Sequence, residues 1–107
     1  MKVGIIGLGL IGGSLGRAIV KKTDCTVYAF DIDKHALIEG KLLNAFHFEL
    51  TKENVKEMDM LFFSLYPEAL ERSLNEFCPL LKKGAVVLYC CGNKRRVVSQ
   101  MKDLAKK

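Results

Sequence analysis

Hydrophobic and polar positions divide the chain into two kinds of segment that alternate along it. Short, almost continuously apolar runs are typical of strands covered on both faces. These runs are 2–6, 26–30, 60–64 and 85–90. Apolar residues recur at helical spacing in the segments that follow them, which are 10–22, 34–43, 68–81 and 94–106. Weaker patterns predict an extra strand near 46–48 and a short helix near 52–57.

Strands that alternate with helices predict an α/β fold, because right-handed helical crossovers join each strand to a parallel neighbour. We expect a doubly wound parallel sheet of strand order 3-2-1-4-5, with helices on both faces. Ligands bind such sheets at the carboxyl ends of the strands, where the order reverses. The loops predicted to face that crevice are 7–12, 31–33, 64–67 and 91–94.

Length and composition indicate one globular domain over residues 1–107, since half of the residues are hydrophobic. No apolar stretch reaches the roughly 18 residues of a membrane span. The glycine-broken N-terminus is unlike a signal peptide, so we expect a cytoplasmic protein without a membrane partner. Basic residues dominate from Lys82 onward, within a net charge of +5. No aromatic residues interleave with them, and a nucleic-acid partner is therefore not expected.

The four cysteines are Cys25, Cys78, Cys90 and Cys91. None forms a C-x-x-C pair, and no histidine stands near them at metal-ligand spacing. We interpret them as reduced, largely buried thiols and expect no metal site. A redox switch is the alternative, and no other sequence feature supports it.

The segment Gly7-Leu8-Gly9-Leu10-Ile11-Gly12 has the pattern G-x-G-x-x-G between a predicted strand and a predicted helix. Gly7 permits a tight turn, Gly9 lets a pyrophosphate approach the backbone, and Gly12 lets the helix pack close to the strand. Gly16 lies four residues further on the same helix face and extends that close contact. This pattern predicts a Rossmann-type dinucleotide-binding fold.

An acidic residue at the end of strand 2 is the second element of this pattern. Asp31 follows the strand 19 residues after Gly12, where a carboxylate accepts hydrogen bonds from the adenosine ribose and repels a 2′-phosphate. The chain continues Ile32-Asp33-Lys34 without an arginine. We therefore expect the cofactor to be NAD rather than NADP. Either aspartate could instead serve as a turn residue or a helix N-cap, and we expect that role for Asp33.

The stretch "GIIGLGLIGGSL" resembles the opening of the prephenate/arogenate dehydrogenase family, and the similarity continues through "FDID", "SLYPEAL" and "LLKKGAVVLYCCGNKRRVV". The resemblance implies oxidative decarboxylation of prephenate or arogenate in tyrosine biosynthesis, with NAD as hydride acceptor. It also implies which residues contact the cofactor. The pyrophosphate and adenosine ribose would lie against Gly7, Leu8, Gly9, Leu10, Ile11, Gly12, Asp31 and Ile32. The nicotinamide side would be lined by Ser64, Leu65, Tyr66, Pro67, Cys91 and Gly92.

The chain departs from this family at the expected reaction centre. Tyr89 and Gly92 stand where the family usually has an Asp and a Ser. The family's sixth strand, its G-G-H-P segment with the catalytic His, and its C-terminal helical domain have no counterpart here. His35 and His47 lie elsewhere and are expected to be structural or solvated. We therefore predict no catalytic residue and expect residues 1–107 to be the cofactor-binding domain of a larger dehydrogenase.

Other interpretations remain open at this point. The chain could be a complete, non-catalytic nucleotide-binding module, or the N-terminal domain of another NAD(P)-dependent reductase. A basic nucleic-acid or partner-binding domain is the last alternative. Without a sixth strand, the edge of strand 5 and nearby apolar faces would be exposed. That exposure predicts a homodimer formed through this surface.

Overall fold

The computed structural model describes residues 1–65, 67–91 and 96–101. Its strands are β1 (Lys2–Ile6), β2 (Thr26–Phe30), β3 (Phe48–Glu49), β4 (Met60–Leu65), β5 (Val86–Cys91) and β6 (Arg96–Met101). Its α-helices are α1 (Leu10–Lys22), α2 (Lys34–Leu42) and α3 (Pro67–Phe77). Short 3-10 helices cover Val55–Glu57 and Cys78–Leu80. Among the described residues, no helix is long and apolar enough to cross a membrane.

The strands form one sheet of order β3-β2-β1-β4-β5-β6, in which β1 to β5 are parallel. The predicted order 3-2-1-4-5 is confirmed. At the centre, Ile5 lies between Ala29 of β2 and Phe62 of β4. All three side chains are buried. The continuous apolar character of these strands arises because helices or connecting segments cover both faces of the sheet.

Two hydrophobic clusters lie on opposite faces of the sheet. Helices α1 and α2 cover the face that contains Ile5, Val27 and Phe62. Helix α3 and the segment before β4 cover the other face, which contains Leu61 and Phe63. The predicted placement of helices on both faces is confirmed. Helix α1 approaches its surroundings closely at Gly16, where a Cβ would collide with the carbonyl oxygen of Ala45, in the segment before β3.

Residues 96–101 form a strand, and the helix predicted over 94–106 is wrong for this described part. Strand β6 pairs antiparallel with β5, from Cys91 opposite Arg96 to Val86 opposite Met101. Its β-branched pair Val97-Val98 favours a strand, and Gly92-Asn93 before it are residue types common in hairpin turns. The edge of β5 is therefore covered, so the predicted exposure of that edge is wrong. Strand β6 reads RVVSQM and is not the G-G-H-P-bearing strand that the resemblance implies.

Several element boundaries differ from their predictions. Helix α3 ends at Phe77 and gives way to a 3-10 turn that contains Pro79, whose missing N–H cannot continue the helix. Strand β3 occupies 48–49 instead of 46–48, because Phe46 is drawn into the core beneath it. The helix predicted near 52–57 is only the 3-10 turn Val55–Glu57.

The interpretation of the cysteines as reduced, buried thiols is best tested at Cys78. This residue is buried and free, and burial raises the pKa of its thiol to about 11. The thiol is therefore protonated at neutral pH and is a poor nucleophile. Cys25 is free and half-buried. The side chains of Cys90 and Cys91 lie outside the described part of the structure.

Asp59 joins three segments at the end of the sheet where the parallel strands begin. Its Oδ2 accepts the backbone N–H of Lys2 at 2.7 Å, and its Oδ1 accepts the Lys82 ammonium at 2.6 Å. These two bonds lower the pKa of the Asp59 carboxyl below its usual value. A carboxyl with a lower pKa in the folded state stabilises the fold above its unfolded pKa, and that stabilisation is lost as the pH falls through the folded value.

We predict that Asp59→Asn lowers the free energy of unfolding at neutral pH and flattens its decline between about pH 5 and pH 3. Urea titrations at a series of pH values measure both effects. Asp24→Asn is the matched control, because Asp24 is exposed and has no hydrogen bond or ion pair among the described residues. Identical pH profiles for Asp59→Asn and wild type would contradict the stabilising role.

Candidate functional site

Four segments of the chain meet at one edge of the sheet because β1, β2, β4 and β5 run parallel. The register places Ile6 beside both Phe30 and Phe63, and Leu65 beside Cys91. The loops 7–12 and 31–33 therefore lie near the ends of β4 and β5, as the sequence predicted. Pro67 is the first residue of α3. Tyr66 and Gly92 were also predicted to belong to this site and lie outside the described residues.

Gly7 turns the chain directly after β1 and is required by the fold. Its φ of +98° is a conformation that residues with a side chain rarely adopt. Its N–H donates to the carbonyl of Phe30 at 2.8 Å. A Cβ at this position would collide with the carbonyl oxygen of Ser64 and lie 2.8 Å from Leu65. The loop therefore packs its backbone directly against the end of β4.

Gly12 is also required by contacts within the protein. A Cβ there would collide with the carbonyl oxygen of Gly7 and lie 3.4 Å from the Cβ of Ser64. The close approach predicted between helix and strand thus occurs where α1 passes over the end of β1. The loop and the first turn of α1 form one tightly packed unit.

Gly9 differs from these two glycines because no contact with the described residues requires it. Its φ of −63° is available to any residue, and a Cβ would find no atom of the described protein within 4 Å. The space in front of the loop is therefore open at this position. A glycine at this position of the G-x-G-x-x-G pattern leaves the backbone accessible to a ligand.

The N-terminus of α1 presents hydrogen-bond donors beside this open space. The bond from Gly13 N–H to the Gly9 carbonyl, 2.8 Å long, is the first of the helix. The cap residue is a glycine and offers no side chain, and the first turn carries no acidic residue. The N–H groups of residues 10–12 are therefore left without a capping side chain. Such groups, at the positive end of a helix dipole, are suited to phosphate oxygens.

Asp31 links the glycine loop to the loop after β2. Its Oδ2 accepts the backbone N–H of Leu8 at 2.7 Å, and its Oδ1 accepts the N–H of Asp33 at 2.8 Å. A carboxylate has about four lone-pair sites, so each oxygen can still accept a hydroxyl from a ligand. Sequence reasoning missed the bond to Leu8. The tendency of aspartate to bind backbone N–H groups two residues on was a signal for the bond to Asp33.

The remaining polar candidates have structural roles or lie away from the loop. Asp33 is the N-cap of α2, as predicted, and its Oδ1 accepts the N–H of His35 at 2.9 Å. His35 itself is exposed on the first turn of α2. His47 is structural. Its ring Nδ1 accepts the backbone N–H of Val27 at 3.0 Å, and its backbone N–H donates to the carbonyl of Val27 at 2.8 Å. Ser64 and Leu65 are half-buried at the end of β4.

A sequence model of one family, the NAD binding domain of 6-phosphogluconate dehydrogenase, matches residues 2–107. Among characterised proteins, pyrroline-5-carboxylate reductase of Arabidopsis thaliana is 27% identical over 93 residues, which are 81% of this chain and 33% of the reductase. The matched region thus spans about one third of that protein.

Solved structures with the same fold come from enzymes with different substrates. Synechocystis arogenate dehydrogenase superimposes with a TM-score of 0.78 at 18% identity, over 85% of this chain and 33% of the enzyme. The 3-hydroxyisobutyrate dehydrogenase of Mycobacterium tuberculosis superimposes with a TM-score of 0.75 at 17% identity, over 84% of this chain and 31% of the enzyme. These similarities show the shared fold. They do not distinguish one substrate from another.

We predict that Gly7→Ala is far more destabilising than Gly84→Ala. Both glycines have positive φ, but a Cβ at Gly84 would meet no atom within 4 Å. Backbone strain alone costs about 1–3 kcal/mol, and Gly7→Ala adds the collision with Ser64. Chemical denaturation of both variants measures the difference. Equal losses of unfolding free energy would contradict the close contact at Gly7.

Proposed function

Because the chain belongs to the family of the NAD binding domain of 6-phosphogluconate dehydrogenase, we propose that its glycine loop, Asp31 and the ends of β4 and β5 together hold NAD. The bound nicotinamide supplies the hydride acceptor of a dehydrogenase. The protein's own residues fix the position of the cofactor relative to the substrate. Residues 1–107 form the cofactor-binding domain of a larger enzyme in this proposal.

The open space at Gly9 is the observation that carries the proposal. Gly7 and Gly12 are explained by the protein's own packing, whereas no contact among the described residues accounts for Gly9. A pyrophosphate placed there accepts hydrogen bonds from the uncapped N–H groups of residues 10–12. Leu8, Leu10 and Ile11 complete the loop around it.

Asp31 is the proposed ribose ligand and the basis of the preference for NAD. Its two oxygens retain lone pairs for the two adenosine ribose hydroxyls while the backbone bonds to Leu8 and Asp33 hold the carboxylate in place. The same carboxylate repels a 2′-phosphate, and no arginine follows it in the sequence. Ile32 is almost fully exposed beside it and offers an apolar surface to the adenine.

The nicotinamide end is proposed to lie against Ser64, Leu65, Tyr66 and Pro67, with Cys91 and Gly92 on the other side. Parallel pairing of β4 with β5 brings the two groups to one edge of the sheet, since Leu65 and Cys91 are neighbours in the register. His35 follows β2 and His47 bonds to Val27 of β2, and β1 separates that strand from β4 and β5. We therefore propose that residues 1–107 bind the cofactor without turning over a substrate alone.

The substrate proposed for the whole enzyme is prephenate or arogenate, oxidised with loss of carbon dioxide. The opening "GLGLIGGS", which resembles that of the prephenate/arogenate dehydrogenase family, supports it. The second candidate is a reductase of another substrate class, which the similarity to pyrroline-5-carboxylate reductase favours. Assay of the full-length enzyme with each substrate distinguishes the two candidates.

We predict that Gly9→Ala weakens NADH binding about tenfold or more, because a methyl group occupies the space proposed for the pyrophosphate. Gly13→Ala is the matched control, since a Cβ there meets only the carbonyl oxygen of Leu8 at an ordinary 3.5 Å. NADH fluorescence titrations measure both affinities, and unfolding curves verify that both variants fold. Absence of saturable binding by the wild-type chain at millimolar NADH would refute the proposed function.

A second prediction concerns the choice between NAD and NADP. Asp31→Asn removes the negative charge that repels a 2′-phosphate, so the ratio of NADH to NADPH affinity should fall about tenfold. Asp33→Asn makes the same change of charge two residues away, and asparagine caps a helix as well as aspartate does. The expected ratio for this control is that of the wild type. Equal changes in both variants would contradict the role given to Asp31.

A further inference from the structure

We propose that the edge of the molecule formed by α2 and β3 is the interface between two copies of this chain. Helix α2 packs Leu37 and Gly40 toward the sheet, as a helix on one face of a sheet must. Its opposite side should then be polar. Instead, Ile38 and Leu42 point outward with exposed fractions of 60% and 77%.

The exposed apolar surface continues from the helix onto the edge strand. Phe48 of β3 is 57% exposed although its ring packs against Tyr28 on one side. Scattered apolar residues are ordinary on protein surfaces, but a contiguous group of large ones marks an interaction site. We name the depression between the two elements the α2–β3 groove; it has a volume of about 530 Å³, and its lining includes Ile38, Lys41, Leu42, Phe46, Phe48 and Glu49.

Strand β3 is one of the two outermost strands of the sheet. Within the described residues it pairs only with β2, through Phe48 and Glu49. At the opposite edge, β6 covers β5. The homodimer expected from sequence at strand 5 therefore has a better site at β3, where an apolar groove and a sheet edge coincide.

The charges of the groove favour a second copy as its occupant. Lys41 and Glu49 both line it, and neither takes part in an ion pair within the described residues. One donor of Lys41 is used by the carbonyl of His47, which leaves two others available. In a dimer with a twofold axis, every contact occurs twice: if residue i of the first copy contacts residue j of the second, then residue j of the first contacts residue i of the second. The groove can therefore pair Lys41 of each copy with Glu49 of the other while Ile38, Leu42 and Phe48 are buried between them.

Sedimentation equilibrium over a range of protein concentrations tests the apolar contact. The wild-type chain should form a dimer, and Leu42→Glu should weaken dimerisation about tenfold or more because it places like charges inside the contact. Leu80→Glu is the control, since Leu80 is also partly exposed but lies in the 3-10 turn after α3. A wild-type chain that is monomeric throughout, or a Leu42→Glu variant that dimerises normally, would overturn the proposal.

A charge-reversal pair tests the symmetric arrangement itself. The Lys41→Glu variant has acidic side chains at both 41 and 49. The Glu49→Lys variant has basic side chains at both 41 and 49. Each variant alone should dimerise poorly, whereas an equimolar mixture should form heterodimers in which both contacts join opposite charges. A mixture that stays monomeric, or single variants that dimerise like wild type, would refute the pairing.

NADH titration of the same variants separates this proposal from the proposed function. None of the substituted residues belongs to the glycine loop, to Asp31 or to the ends of β4 and β5. Monomeric variants should therefore bind NADH with the affinity of the wild type. Loss of dimerisation with normal NADH binding supports the interface, whereas a dimer that binds no NADH refutes only the cofactor proposal.

Discussion

The contact between the backbone of Gly7 and the end of β4 is the constraint on which the rest of the site depends. Gly7 joins three strands, since it follows β1, bonds to Phe30 of β2 and lies against the carbonyl of Ser64 in β4. Gly12 then brings α1 over the same point. No side chain fits between these backbones, so contacts within the protein restrict the shape of the loop. A loop with a fixed shape binds a ligand with less loss of conformational freedom.

Asp31 extends this rigid unit toward the second loop. Its carboxylate joins the N–H of Leu8 to that of Asp33, and Asp33 in turn caps α2. One acidic side chain thus sets the position of both loops that the proposed nucleotide would contact. At the other end of the sheet, Asp59 joins the segments around Lys2 and Lys82 in a similar way. Carboxylates therefore join neighbouring segments by hydrogen bonds at both ends of the sheet, while apolar side chains pack around the centres of the strands.

The two outermost strands of the sheet differ in length and in surroundings. Strand β6 covers β5, but β3 contains only two paired residues and lies beside the exposed Ile38 and Leu42. The site residues lie at the carboxyl ends of the strands, and none of them lines this groove. An assembly through β3 and cofactor binding at the strand ends can therefore coexist in one molecule.

The sequence by itself determined the strand order, the helices on both faces and the loops that meet at one edge. Continuous apolar runs and helical spacing are local patterns, and they predict an element even where its exact boundaries differ by a few residues. Only the tertiary structure decided that 96–101 is a strand, because the helical spacing of the segment competed with the β-branched pair Val97-Val98, and pairing with β5 selects the strand. It also decided which of the three glycines of the loop faces open space. The three glycines are identical in sequence, and only the neighbouring Ser64 and Gly7 carbonyl oxygens distinguish Gly7 and Gly12 from Gly9.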